Sequence, residues 1–319
     1  MAKPTVVVTR RIPQAALDIL AACCEVDANL DDRAYSSEEL VRRARAADAL
    51  VTVLTDRIGA DVIDRLERCR IIANVAVGFD NVDVAAAKHR AIVVTNTPGV
   101  LTDATADFAM TLLLAASRRL VEADAFVRAG KYTGWNIMMF LGADLHEKTL
   151  GLAGFGRIGQ AVAQRALGFG LRLIYADERR AAADVEQRFG ARYVDKATLV
   201  RESDFLSLHL PLTEETRHYV GAAELAAMKP TAYLVNTSRG PTIDETALVE
   251  ALRRRTIAGA ALDVFEREPA LADGLAELDN VVLAPHIASA GRETREKMAE
   301  IAARNVVAVL SGSAPLTPV

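Results

Sequence analysis

The chain has 319 residues, enough for about two domains and a large buried core. It is 51% hydrophobic and 25% charged, with 19 Gly and 10 Pro, which excludes disordered, collagen-like and low-complexity chains. Lys plus Arg (38) fall short of Asp plus Glu (42), and a net charge of −4 leaves no basic surplus for nucleic acid or an anionic membrane surface. Three cysteines, Cys23 and Cys24 adjacent and Cys69 alone, make neither a disulfide framework nor a metal quartet. A cytoplasmic protein without a metal is the expectation. Residues 1–8 are too few for a signal peptide's apolar region. The run 108–116 is likewise far short of the roughly 20 apolar residues of a membrane span, so no membrane partner is expected.

In chain order, β-branched runs at 5–9, 49–54, 70–75 and 91–95 read as strands. Between them, 13–23, 37–47 and 61–68 carry apolar residues at i, i+3 and i+4, and Ser36 and Ser37 before Glu38 and Glu39 predict a helix start. That alternation predicts a parallel sheet with helices on both faces. After Pro98-Gly99 the pattern predicts one long helix over 103–129, apolar on every side through its central third and therefore buried. The irregular stretch 130–142 holds Trp135, Ile137, Met138, Met139, Phe140 and Leu141, which read either as a satellite of the local core or as a dimer contact whose tip closes over a neighbouring pocket. A second series comes next, with strands at 150–153, 171–176, 205–208, 232–236, 258–262 and 281–284. A last amphipathic helix over 292–310 is expected to return to the first domain. The fold class is α/β, with two doubly wound parallel-sheet domains.

Gly154, Phe155, Gly156, Arg157, Ile158 and Gly159 spell Gly-x-Gly-x-x-Gly between a predicted strand and a predicted helix, and the next strand ends at Asp177. Gly154 permits the tight turn, Gly156 lets a pyrophosphate approach the main chain, and Gly159 lets the helix lie close on the strand. Asp177 suits the adenosine ribose hydroxyls and repels a 2′-phosphate, so NAD is the preferred cofactor. Arg179 and Arg180 keep NADP possible.

Further segments are AGFGRIGQAVA (153–163), LVNTSRGP (234–241), ALDVFEREP (261–269) and VLAPHIASA (282–290), together with NVAVGFDNVD (74–83) and DFLSLHLPLTEET (204–216). In order and spacing they resemble the D-isomer-specific 2-hydroxyacid dehydrogenase family over essentially the whole chain. VTRRIP (8–13) and MMFLG (138–142) look most like its glyoxylate/hydroxypyruvate reductase branch. The resemblance implies a Rossmann NAD-binding domain over 100–286, carrying a dimerisation helix and loop. This domain is inserted in a discontinuous flavodoxin-like substrate domain of 1–99 and 287–319, with substrate in the cleft and a hinge at the two chain crossings.

It also implies a catalytic set of Arg239, Glu268 and His286. Reduction of a 2-keto acid needs a proton for the carbonyl oxygen, which suits His286. A carboxylate on the other ring nitrogen, Glu268, holds the tautomer and stabilises the imidazolium. The planar fork of Arg239 grips substrate oxygens. The family's substrate site maps to the amides of Val77 and Gly78, with Arg239 and His286 on the substrate, and Leu54, at the end of another first-domain strand, is expected on the pocket wall. Its cofactor contacts map to Thr105 near the pyrophosphate or ribose, Leu210 and Pro211 by the adenine, Thr237 at the nicotinamide side and Asp263 on the carboxamide. The other histidines, His89, His146, His209 and His218, read as structural.

Ala153, Phe155 and Ala288 depart from the family's commoner residues. A small 2-keto acid, glyoxylate or hydroxypyruvate, is the expected substrate, and a homodimer the expected assembly. The alternatives are another D-2-hydroxyacid dehydrogenase (phosphoglycerate, lactate or 2-ketogluconate type) and a nucleotide-sensing corepressor-like scaffold.

Overall fold

The computed structural model describes residues 3–319. The chain divides into two compact units, one of the residues up to Leu101 with Ala290–Val319, the other Thr102–Ser289.

The first unit begins with β1 (Thr5–Val8), α1 (Gln14–Cys23), β2 (Glu25–Ala28), α2 (Ser37–Ala44), β3 (Ala49–Val53), α3 (Ala60–Ile63), β4 (Ile71–Val75), α4 (Val84–His89) and β5 (Val93–Thr95). Its five strands run parallel in the order β2-β1-β3-β4-β5. Alternate side chains leave a strand on opposite faces, so each β-branched run feeds two cores. Val6, Val8, Val51 and Ala73 join one core, while Val7, Leu50, Ile72 and Val94 join the other. Ser36 caps α2 by accepting from the Glu39 amide at 3.2 Å.

The second unit holds α5 (Thr102–Ser117), α6 (Leu120–Arg128), β6 (Thr149–Ala153), α7 (Arg157–Leu167), β7 (Arg172–Ala176), α8 (Ala183–Phe189), β8 (Arg192–Tyr193), α9 (Lys196–Glu202), β9 (Phe205–Leu208), α10 (Ala222–Ala227), β10 (Tyr233–Asn236), α11 (Glu245–Arg253), β11 (Gly259–Leu262) and β12 (Val281–Leu283). Seven parallel strands lie in the order β12-β11-β10-β9-β6-β7-β8. The strand order reverses between β6 and β9, the switch point outside which ligands bind in such sheets. The final helix, α12 (Arg292–Leu310), belongs to the first unit, where Ala299, Ala302, Ala303 and Val306 close the core beside Val51 and Ala73.

Three features differ from the periodicity. β2 and β8 are additional edge strands. The single helix predicted over 103–129 is two, broken at Arg119, whose φ is +51°. The Ser117 carbonyl is captured by the Ala143 amide at 2.9 Å, and a Cβ on Gly142 would stand 2.2 Å from that oxygen, so the returning loop ends the helix. α5 is buried as expected, but α6 buries no residue at all. No helix among the described residues is long and apolar enough to cross a membrane.

Candidate active site at the carboxyl edge of the seven-stranded sheet

The register sets the strand ends level with one another. Ala153 pairs with Ala176 and Leu208, Leu208 with Asn236, Asn236 with Leu262, and Leu262 with Leu283. One residue further on, Asp177, Gly154, His209, Thr237, Asp263 and Ala284 therefore form a row along the sheet edge, to which the segments 153–163, 204–216, 234–241, 261–269 and 282–290 each contribute a residue.

The glycine turn has three distinct constraints. Gly154 adopts φ +90°, and a Cβ there would stand 2.7 Å from the His209 carbonyl oxygen. A Cβ on Gly159 would approach the Gly154 carbonyl oxygen to 2.3 Å, so α7 packs directly on the turn. On Gly156 it would meet nothing within 4 Å. The space over Gly156 is open, as a cradle for a bulky anion requires. The Gly154 amide is spent on Ala176 and the Phe155 amide on Asp177, at 2.9 and 2.6 Å. The first amides without a protein acceptor among the described residues are those of Gly156, Arg157 and Ile158, at the positive end of α7.

Asp177 thus has a task the motif does not announce: one carboxylate oxygen holds the turn. The other accepts only a long bond from the Arg179 amide, at 3.5 Å. Arg180 is occupied by a two-bond pair with Glu186, which also accepts from Tyr175. The Arg179 guanidinium pairs with no group among the described residues. Phe155 is accommodated by stacking on Tyr175, with centroids 4.2 Å apart.

Two polar atoms in the row are buried without a partner, Nδ1 of His209 and Oγ1 of Thr237. Such orphans cost free energy unless something bonds them, so they fit a ligand laid along the edge. His209 Nε2 lies 2.9 Å from Ser207 Oγ, and burial pushes the imidazole down to about 4. Thr105 is buried on α5, Leu210 is half-buried and Pro211 exposed after β9.

At the other end of the row Arg239, Glu268 and His286 come together. His286 Nδ1 meets Glu268 Oε2 at 2.9 Å, and Glu268 Oε1 accepts from the Phe265 amide at 3.0 Å. Burial alone would raise the Glu268 carboxyl. The hydrogen bond and charge of His286, with the charge of Arg239, prevail and hold it below the ordinary glutamate value. Arg239 follows β10 in a turn shaped by buried Asn236, whose Nδ2 donates to the Arg239 carbonyl at 3.0 Å. A Cβ on Gly240 would lie 1.9 Å from the Phe265 carbonyl carbon, so the Arg239 turn is pressed against the Glu268 loop.

Asp263 is fully buried, and its oxygens accept from the Ile287 and Ala288 amides, both at 2.7 Å. Burial raises its carboxyl. It clamps the loop that carries His286. His218 adds a connection the sequence did not reveal. Its amide donates to the Pro241 carbonyl at 2.8 Å, and its Nε2 meets Glu266 at 2.7 Å. Nothing in the local sequence marks that tie, because its partners come from two other loops.

In the first unit, Leu54, Val77 and Gly78 follow β3 and β4. Three successive carbonyls after β4 are pinned: Ala76 by the Thr97 amide (2.8 Å), Val77 by Asn96 Nδ2 (2.8 Å) and Gly78 by Asn74 Nδ2 (3.0 Å). In a trans peptide the N–H points opposite to its C=O. The amides of Val77, Gly78 and Phe79 therefore face away from these anchors and donate to no group among the described residues, a backbone concavity that favours an anion. No group of three or more His, Cys, Asp or Glu side chains that could hold a metal occurs among the described residues.

A pyrophosphate cradle sharing one sheet edge with an acid–base pair and an arginine is what hydride exchange with a dinucleotide demands, and the class is that of nicotinamide-dependent oxidoreductases. Comparison with known proteins narrows it. The chain belongs to the D-isomer-specific 2-hydroxyacid dehydrogenases: the family's NAD-binding-domain profile matches residues 110–288. A glyoxylate reductase of Thermococcus litoralis is 51% identical over 317 residues, covering 98% of this chain and 96% of that protein. Among solved structures, a Thermus thermophilus protein superposes with a TM-score of 0.92 at 45% identity, over 99% of both chains. An NADPH-dependent glyoxylate/hydroxypyruvate reductase of Sinorhizobium meliloti, in complex with NADP and malonate, gives 0.90 at 35%, over 100% of this chain and 97% of that one.

Proposed function

We propose that this protein reduces glyoxylate, and hydroxypyruvate as a close analogue, to the corresponding 2-hydroxy acid. The observation that carries the reading is the His286–Glu268 pair held beside Arg239 in a chain that is similar along its whole length to glyoxylate reductases. Bound nicotinamide supplies the hydride. With Nδ1 committed to the Glu268 carboxylate, the proton His286 passes to the substrate oxygen leaves from Nε2, and Glu268 offsets the imidazolium charge that precedes the transfer. Arg239 orients the substrate carboxylate or carbonyl and balances the developing alkoxide. The Val77 and Gly78 amides take the substrate carboxylate, with Leu54 beside them. Thr105, Thr237, Leu210 and Pro211 line the dinucleotide's path, and Asp263 supports its nicotinamide end through the loop it holds.

NAD is the preferred nucleotide, because the free edge of Asp177 favours ribose hydroxyls and Arg180 is already paired with Glu186. Arg179 is the cation left to accept a 2′-phosphate. The protein works as a homodimer: α6 and the loop after it expose Trp135 (79%) and Met138 (70%) along with Leu120, Val121, Val127 and Ile137, an apolar strip that a second copy would cover.

Steady-state reduction of glyoxylate, hydroxypyruvate, pyruvate, 2-ketogluconate and phosphohydroxypyruvate, each with NADH and NADPH, tests the reading. Glyoxylate with NADH should give the highest kcat/KM. Dinucleotide binding without turnover of any of these acids would instead identify a sensing scaffold.

A further inference from the structure

The anchors of the Val77–Gly78 backbone lead outward through a chain of hydrogen bonds to a segment far away in sequence. Asn96, whose Nδ2 holds the Val77 carbonyl at 2.8 Å, stands just past β5. Its main chain is bonded on both sides by Thr317: the Asn96 amide donates to the Thr317 carbonyl at 3.2 Å, and Thr317 Oγ1 donates to the Asn96 carbonyl at 2.6 Å. Thr317 is held in turn by Asn305, a fully buried residue of α12. Asn305 Nδ2 donates to Thr317 Oγ1 at 2.8 Å, and Asn305 Oδ1 accepts from the Leu316 and Thr317 amides at 2.8 and 3.1 Å. The Val319 amide donates to the Val94 carbonyl at 3.0 Å, so residues 317–319 lie along β5.

Much of this segment is not there for its burial. Leu316 and Val319 are both exposed large apolar residues. Its ordering rests on the buried amide of Asn305 and on Asn96, and each polar atom of the Thr317 side chain and backbone nearby is spent on those two partners.

We propose that Asn305, Thr317 and Asn96 form a positioning relay that aims the Gly78 amide at the substrate carboxylate. This rests on the reading that the Val77 and Gly78 amides bind it. The Thr317 hydroxyl has a fixed sense: it accepts from Asn305 and donates to Asn96, so it transmits position from the helix to the strand end. Asn96 then pulls the Val77 carbonyl inward, and the Gly78 N–H, antiparallel across the same peptide, is turned outward. All three belong to the first unit, and the dinucleotide turn belongs to the other.

The test uses the full chain with Asn96→Ala, Thr317→Val, which keeps shape and loses the hydroxyl, and Thr317→Ser, which keeps the hydroxyl. The KM for glyoxylate should rise about tenfold in Asn96→Ala and about three- to fivefold in Thr317→Val, and return to within about twofold of the parent in Thr317→Ser. The kcat at saturating glyoxylate and the Kd for NADH should stay within about twofold throughout. The double variant should be less than additive, since both changes cut one chain. Amide hydrogen exchange of Asn96, Thr97, Leu316 and Thr317, whose N–H groups donate within the relay, should accelerate, measured without any ligand, in Asn96→Ala and Thr317→Val and not in Thr317→Ser. An unchanged KM in folded Asn96→Ala or Thr317→Val, or a Thr317→Ser protein that behaves like Thr317→Val, overturns the relay. If the parent turns over no keto acid, the functional reading fails instead, and the exchange pattern alone decides the relay.

Discussion

His286 reaches its place through a backbone conformation that few side chains favour, with φ at +55°. It is kept there by its amide's bond to the Asp263 carbonyl at 2.8 Å and by the clamp of Asp263 on the next two amides. Replacing His286 with Ala should lower kcat by about 10² or more while leaving the NADH Kd nearly unchanged, because the ring pairs with Glu268 and takes no part in the glycine turn. Comparable turnover in the variant would remove the assignment. Glu268→Gln keeps the shape but not the charge, and kcat should fall by about 10- to 100-fold with little change in nucleotide affinity.

A different histidine makes stability depend on pH. Burial lowers His209 from its ordinary 6.5 to about 4, so the unfolded chain takes up the proton first. Its contribution is complete above pH 6.5 and erodes as pH falls from there toward 4. Urea midpoints should decline across that interval, and the decline should be shallower in His209→Gln. Glu268 acts in the same direction at lower pH, since its depressed carboxyl adds stability that is lost only as pH falls below the ordinary glutamate value. That Arg239, Glu268 and His286 would come together was legible in the sequence because each member sits in a recognisable segment. Asn74, Asn96, Asn305 and His218 were not, because what each does is defined by partners on other loops.

At the scale of elements, the strand-turn-helix β6–α7 offers a contrast within one motif. Gly156→Ala should leave stability within about 1 kcal/mol of the parent, because a Cβ there meets nothing, yet raise the NADH Kd by about tenfold or more, since the methyl takes the space a phosphate needs. Gly159→Ala should instead lower the melting temperature, as its Cβ would force α7 off the Gly154 carbonyl. Thermal unfolding and nucleotide titration of both variants separate packing from binding. Central strands were legible because a continuous β-branched run has one buried solution. β2 (EVDA) and β8 (RY) were not, because edge strands bury one side only and their sequences are half polar or exposed. The break before α6 was equally hidden, since it depends on a loop more than twenty residues onward capturing the Ser117 carbonyl.

At the scale of the whole molecule, the apolar strip on α6 and the Trp135 loop sets the expected assembly. Sedimentation should give the mass of two chains, and Trp135→Asp combined with Met138→Asp should shift it toward one without abolishing NADH binding. A parent protein that sediments as a monomer at micromolar concentration would count against the homodimer.

The five-stranded unit is also interrupted in sequence, and its core is completed only by α12. During synthesis, β1, β3 and β4 leave the ribosome long before Ala299, Ala302, Ala303 and Val306 exist to cover them, whereas Thr102–Ser289 is finished earlier and can fold first. The nascent chain must therefore carry an open apolar sheet through the whole time the second unit is being made. A stalled chain ending before residue 290 should resist protease over the nucleotide-binding unit and be cut readily upstream of it.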